Sequence, residues 1–92
     1  ANSDLIMYPA YPNPFNPVVN VNYFIPDVIG EFQSRIFIYN LSGALVEELD
    51  PVQSYPGLNK ILWDASDQAS GVYFLRVKAK NRSYTQKIQL IK

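Results

Sequence analysis

The sequence predicts an all-β protein, an immunoglobulin-like antiparallel β-sandwich of six or seven strands. Three observations carry that expectation. Seven Tyr and five Phe, with many Val and Ile, give a strand-forming composition. Seven Pro and four Gly punctuate the sequence, and six or seven short strands recur at roughly ten-residue spacing. Apolar residues alternate or come in short runs, and none forms the stripe of an amphipathic helix. At 92 residues the chain suits one domain with a thin core.

The elements follow in order. Pro9, Pro12, Pro14 and Pro17 forbid a helix near the start, and each pushes its preceding residue to extended geometry. Residues 1–7 read as a linker whose Leu5 to Met7 pair at a sheet edge, and 8–92 as the sandwich with its Pro-rich extended arm. Pro9-Ala10-Tyr11-Pro12 and Pro14-Phe15-Asn16-Pro17 match the spacing of Pro-rich ligands. The interleaved Tyr8, Tyr11 and Phe15 favour packing of the arm onto the domain's own core. Val18 to Ile25 alternates, with Val19, Val21, Tyr23 and Ile25 inward and Asn20 and Asn22 opposite. Gln33 to Leu41 carries apolar weight on both faces: Ile36 and Ile38 on one, Phe37 and Tyr39 with Arg35 on the other. That marks a central or doubly covered strand. Ser42-Gly43 signals a hairpin turn into Ala44 to Leu49.

Leu58 to Asp64 places Asn59, Ile61 and Trp63 on one face, and the lone Trp is the expected core plug. A polar loop from Asp64 to Gly71 leads to Val72 to Ala79, with Tyr73, Leu75 and Val77 inward. Ser83 to Lys92 sets Tyr84, Ile88 and Leu90 against Thr85, Lys87 and Gln89. The expected core is therefore Trp63, Tyr23, Ile36, Ile38, Ile61, Leu75 and Ile88.

Composition also excludes chemistry. With no Cys and no His, the chain holds no thiol nucleophile, zinc finger or imidazole general base. Eight Lys+Arg balance eight Asp+Glu, unlike the basic excess of nucleic-acid binders. No apolar run approaches the ~20 residues of a membrane helix. No signal-peptide pattern opens the sequence, and the absence of an initial Met reads as excision from something larger. We expect no enzyme, cofactor or metal.

The blocks YPNPFNP (Tyr11 to Pro17), IFIYNLSGALVEEL (Ile36 to Leu49), PGLNKILWDA (Pro56 to Ala65), ASGVYFLRV (Ala69 to Val77) and QKIQLIK (Gln86 to Lys92) occur in this order. Together they resemble the type A C-terminal sorting domain of the bacterial type IX secretion system. They are also similar to the immunoglobulin-like domain of flagellar hook-capping proteins. The resemblance spans about residues 8–92. It implies a domain closing large exported enzymes and adhesins of Bacteroidetes and related phyla, one that directs an N-terminally attached cargo through the periplasm to the cell surface. Implied partners are the outer-membrane translocon, shuttle and sortase proteins of that system, with only peripheral membrane association. Ala1-Asn2-Ser3-Asp4 would suit a scissile linker or a plain interdomain one. By resemblance, Pro56 and Gly57 match the turn before the Trp strand. Gly71, Tyr73 and Val77 match the penultimate strand, and Lys87, Leu90 and Lys92 the terminal one. Gly30-Glu31-Phe32 and Asp50-Pro51-Val52 depart from the pattern in two loops.

Other features have competing readings. Asp64 and Asp67 flank Ser66, where turn capping outweighs calcium binding or a carboxylate dyad. Lys60 and Lys87 as Schiff-base nucleophiles would need burial, and their strand positions predict solvated faces instead. Arg76, Lys78, Lys80 and Arg82 recur at every second residue, a basic stripe that either meets an acidic partner or solubilises an edge. Phe37, Tyr39 and Phe74 form an aromatic patch if outward, or pack under the arm. The last strand, if it is a sheet edge, can template a partner strand through its main chain. Beside a sorting address stand a structural or adhesion module and a carbohydrate-binding module.

Overall fold

Period-two alternation becomes seven strands in the computed structural model, which describes residues 5–26, 34–49, 56–79 and 82–92. They are β1 (Ile6–Met7), β2 (Val18–Ile25), β3 (Ser34–Asn40), β4 (Leu45–Leu49), β5 (Gly57–Asp64), β6 (Gly71–Ala79) and β7 (Arg82–Leu90). One sheet has the order β1-β2-β5 and the other β4-β3-β6-β7. All strand pairings are antiparallel. The Ala1-to-Asp4 linker, the departures at 30–32 and 50–52, and Lys80 of the basic stripe lie outside the described residues.

The two sheets meet through the alternating inward residues. Val19, Val21, Tyr23 and Ile25 come from one sheet, and Ile36, Ile38, Leu75, Val77, Ile88 and Leu90 from the other, all buried. Trp63 is fully buried between them. Phe15 lies 5.7 Å from it and Tyr73 stands edge-on at 5.4 Å, within the range where aromatic pairs attract beyond their area. The indole N–H donates to Glu47 Oε1 at 3.1 Å, so its one polar group reaches the rim of the sandwich. Ile61 is half-buried against this core. Tyr23 and Ser34 satisfy each other's hydroxyls at 2.7 Å inside it. Between β3 and β4, Asn40 Oδ1 accepts from the amides of Ser42 and Ala44 and from the Ser42 hydroxyl. Gly43 takes φ +89 there, a conformation open to glycine without a Cβ penalty.

The arm joins the two sheets. β1 pairs with β2, and Tyr11 bridges Asn20 farther along the same strand. Phe15 then crosses to the second sheet and forms a parallel bridge with Leu90. The bonds Tyr11–Pro12, Asn13–Pro14 and Asn16–Pro17 are cis. Leu5, Ala10 and Phe15 are buried. Tyr8 and Tyr11, expected to pack inward with Phe15, are instead 40% and 53% exposed. An extended segment at a sheet edge can bury only its inward-turned side chains, and here those are Leu5, Ala10 and Phe15.

Candidate recognition surface

β7 is an edge strand, but half of that edge is taken. Phe15 N–H donates to Gln89 O and Ile91 N–H to Phe15 O, each at 2.9 Å. The Asn13 amide completes the cover: its Nδ2 donates to Lys87 O at 3.1 Å, and its Oδ1 accepts from Gln89 N–H at 3.0 Å. Gln86 ties down the preceding stretch, accepting from Ala10 N–H at 2.9 Å and donating to Tyr8 O at 3.0 Å. The main-chain groups of residues 87, 89 and 91 therefore point away from β6. The β6–β7 register is unbroken from Gly71–Leu90 to Ala79–Arg82, so strand alternation also turns the N–H and C=O of Ser83 and Thr85 outward. Among the described residues no strand lies against them. The sequence left the whole terminal edge open for pairing; the arm narrows it to the first half of β7.

The residues singled out by resemblance do not form one cluster. Tyr73, Val77 and Leu90 are buried, and Gly57 and Gly71 are half-buried. Pro56, Lys87 and Lys92 are exposed. Gly71 pairs with Leu90. Lys92 continues from there, its N–H donating to Ser70 Oγ at 3.1 Å and its Nζ to Ser66 O at 2.6 Å. Tyr73 donates to Ala69 O at 2.5 Å and fastens the same loop. Pro56-Gly57 sits at the other pole: Gly57 faces Ile25, while Asp64 faces Val18 seven residues along. At about 3.3 Å per residue, the two ends of β5 are roughly 23 Å apart. One small ligand cannot span them; a partner surface can. Gly57 adopts φ +102, which explains glycine in that turn without any contact to a partner.

The outer face of the four-stranded sheet gathers the other candidates. Phe37, Tyr39 and Phe74 lie there, half-buried, on the sheet's outer surface and not under the arm. Register aligns Phe37 with Arg76 and Thr85, and Tyr39 with Phe74 and Lys87. Phe37 and Tyr39 tilt against each other at 6.4 Å. Arg35 stacks 5.3 Å over the Phe37 ring and bonds Glu48 at 2.7 Å. Those contacts engage the Phe37 ring from Arg35 and from Tyr39. Arg76 Nη2 reaches the Ser83 hydroxyl at 3.4 Å, and Lys78 and Lys87 are exposed on the same face. The expected stripe is shorter than the sequence suggested: the β6–β7 turn intervenes, and Arg82, paired with Ala79, falls on the opposite parity, so among the described residues only Arg76 and Lys78 of the stripe share the outer face, beside the open half of β7.

Asp64 caps its own turn, accepting from Ser66 N–H at 3.0 Å. The hydroxyl and backbone amide of Ser66 hold its carboxyl below the usual carboxylate range. Among the described residues no group of three metal-ligating side chains forms. Sequence reasoning missed two features of this surface. Asn13 as a side-chain cover for a distant strand leaves no local signature, being 74 and 76 residues from its partners. Asn22, placed on the solvent face of β2, is in fact buried at 8% exposure.

No curated protein matches the chain. The family described as secretion system C-terminal sorting domain matches residues 9–92. That match takes in the arm from Pro9 and every strand from β2 to β7, so the chain belongs to the secretion system C-terminal sorting domain family.

Proposed function

We propose that this domain is an export address, recognised as a folded body by the type IX machinery, which then carries an N-terminally attached cargo across the outer membrane to the cell surface. One observation of the fold carries the mechanism. β7 is an edge strand with two outward main-chain positions, Ser83 and Thr85, against which no described strand lies. A translocon or shuttle strand adds there, gaining main-chain hydrogen bonds that do not depend on side-chain identity. Lys87, beside that edge, and Lys92, at the adjoining pole, supply exposed positive charge to orient the docking. Pro56 contributes a second contact at the far pole. Gly57, Gly71, Tyr73, Val77 and Leu90 act by holding the turns and core that present these groups. Residues 1–4 lead to the cargo and supply the segment a sortase cuts. The domain itself performs no chemistry; its family is one of sorting signals and not of enzymes.

The test is a transplant. A passenger fused ahead of residues 1–92 reaches the surface or medium of a type IX host. The same fusion lacking Gln86 to Lys92 stays in the periplasm. Equal export with and without residues 1–92 contradicts the proposal.

A further inference from the structure

Charge is divided along this chain. All eight Asp and Glu lie at or before Asp67, while six of the eight Lys and Arg lie from Arg76 onward. The chain carries no net charge, yet β6 and β7 contain Arg76, Lys78, Arg82 and Lys87 and no carboxylate. Arg76, Lys78 and Lys87 lie on the outer face, and among the described residues none of these three meets an acid. Arg76 pairs with Thr85, but its Nη2 reaches the Ser83 hydroxyl at 3.4 Å. The guanidinium therefore lies over β7, toward the open positions, held there by a long contact to a neutral group.

The inner side of the same edge is apolar. A notch of about 250 Å³ is lined by Met7, Tyr8, Pro9, Tyr84, Thr85 and Gln86. It sits where the arm of one sheet meets β7 of the other, and the Gln86 amide ties the two through Tyr8 O and Ala10 N–H. Met7 and Tyr84 are half-buried against the core and give the notch an apolar wall.

We propose that the strand taken up by the open half of β7 carries an acidic–apolar–acidic triplet. This rests on the edge-pairing reading above and adds the chemistry of the partner. An added strand places two residues opposite Ser83 and Thr85 and one opposite Tyr84. Alternation sends the first two to the outer face and the third to the inner side. Carboxylates at the outer positions meet Arg76, whose planar fork suits them, with Lys78 and Lys87 beside it. A Leu-sized side chain at the middle position enters the notch. The main chain then gives affinity and the alternate side chains give choice. A basic strand is repelled. A sulfated or phosphorylated polymer satisfies the cations but leaves the notch and the main-chain groups of Ser83 and Thr85 unused, so the geometry favours a polypeptide. β5, an eight-residue edge of the other sheet, exposes Leu58, Lys60, Leu62 and Asp64 and lacks this division of charge from apolar surface.

The experiment is an NMR titration of the 92-residue chain with the blocked pentapeptides SELES, SKLKS, SQLQS and SEGES at millimolar concentration. SELES shifts the amides of Ser83 and Thr85 and the Arg76 side chain. SKLKS and SEGES bind about fivefold more weakly or worse. Arg76→Gln, and separately the exposed Lys78→Gln, weaken SELES about two- to fivefold and leave SQLQS unchanged, a split that damage to the fold does not produce. Equal binding of all four peptides overturns the triplet and leaves edge pairing standing. Failure of the edge reading itself looks different: no peptide moves Ser83 or Thr85, and a Thr85→Pro passenger fusion is exported like the parent, which overturns the triplet as well. The proposal is also overturned if the shifts gather on Leu58, Lys60 and Leu62 of β5. Binding of dextran sulfate to the parent and Thr85→Pro chains alike, with SELES binding neither, overturns it in favour of a polyanion.

Discussion

At the scale of single residues, three side chains show how polar groups find partners, one from within the core and two at the surface. Trp63 fills the space between the sheets and sends its N–H to Glu47. Trp63→Ala should cost about 3–5 kcal/mol, the usual loss for an emptied aromatic site. Trp63→Phe should cost less than half of that, since Glu47 is exposed and regains water. Urea denaturation of both variants checks the ratio. Asn13 makes two hydrogen bonds to the β7 main chain at an exposed position. Asn13→Ala should cost about 1 kcal/mol, and the melting temperature should fall by about 4–8 °C. Asp64 is a pH-dependent cap. Its folded-state carboxyl titrates below the ordinary range because the Ser66 hydroxyl and amide serve the anion. Its contribution is thus complete above the unfolded-state value and fades as pH falls through the folded one. Asp64→Asn should lower stability slightly near neutral pH and not at all in strong acid, as read from unfolding midpoints across that range.

At the scale of elements, the arm and β7 depend on each other. Phe15 is both a core ring against Trp63 and the backbone partner of residues 89 and 91. Phe15→Ala should therefore cost about 3–5 kcal/mol and also accelerate hydrogen exchange at Ile91 N–H, whose partner is the Phe15 carbonyl. Thr85 tests the parity of the strand. Its N–H faces away from β6, so Thr85→Pro removes no ladder bond and should cost less than about 1 kcal/mol. Proline at Tyr84, whose N–H turns toward β6, should cost several times more. Equal losses would show that the outward edge is misplaced. β1, β4 and β5 are the remaining sheet edges. β1 spans two residues and β4 five, short edges that offer little length for unwanted pairing, while β5 spans eight.

For the molecule as a whole, the sandwich was legible in the sequence because its determinants are local. Alternation in 18–25, 71–79 and 82–90 shows which side chains turn inward, and proline and glycine mark the breaks. The burial of Trp63, Ile36, Ile38, Leu75 and Ile88 follows from that alternation alone. What the alternation could not show was contact between distant segments. Asn22 reads as solvated until the arm is laid beside it, and β7 reads as an open edge until Asn13 and Phe15 are laid along it. Tyr8 and Tyr11 read as core because aromatic residues usually are, yet an arm that crosses between sheets buries only the side turned inward. The candidate site is of the same kind. Its residues are spread over two poles and an edge, and only pairing brings Gly71, Leu90 and Lys92 together. A partner that reads such a surface must meet the folded domain.

Export of a Thr85→Pro passenger fusion decides the matter most directly, because this change blocks strand addition and leaves the body intact. With circular dichroism and melting close to the parent domain, the account predicts that the fusion accumulates in the periplasm of a type IX host. Surface delivery equal to that of the parent fusion would contradict it.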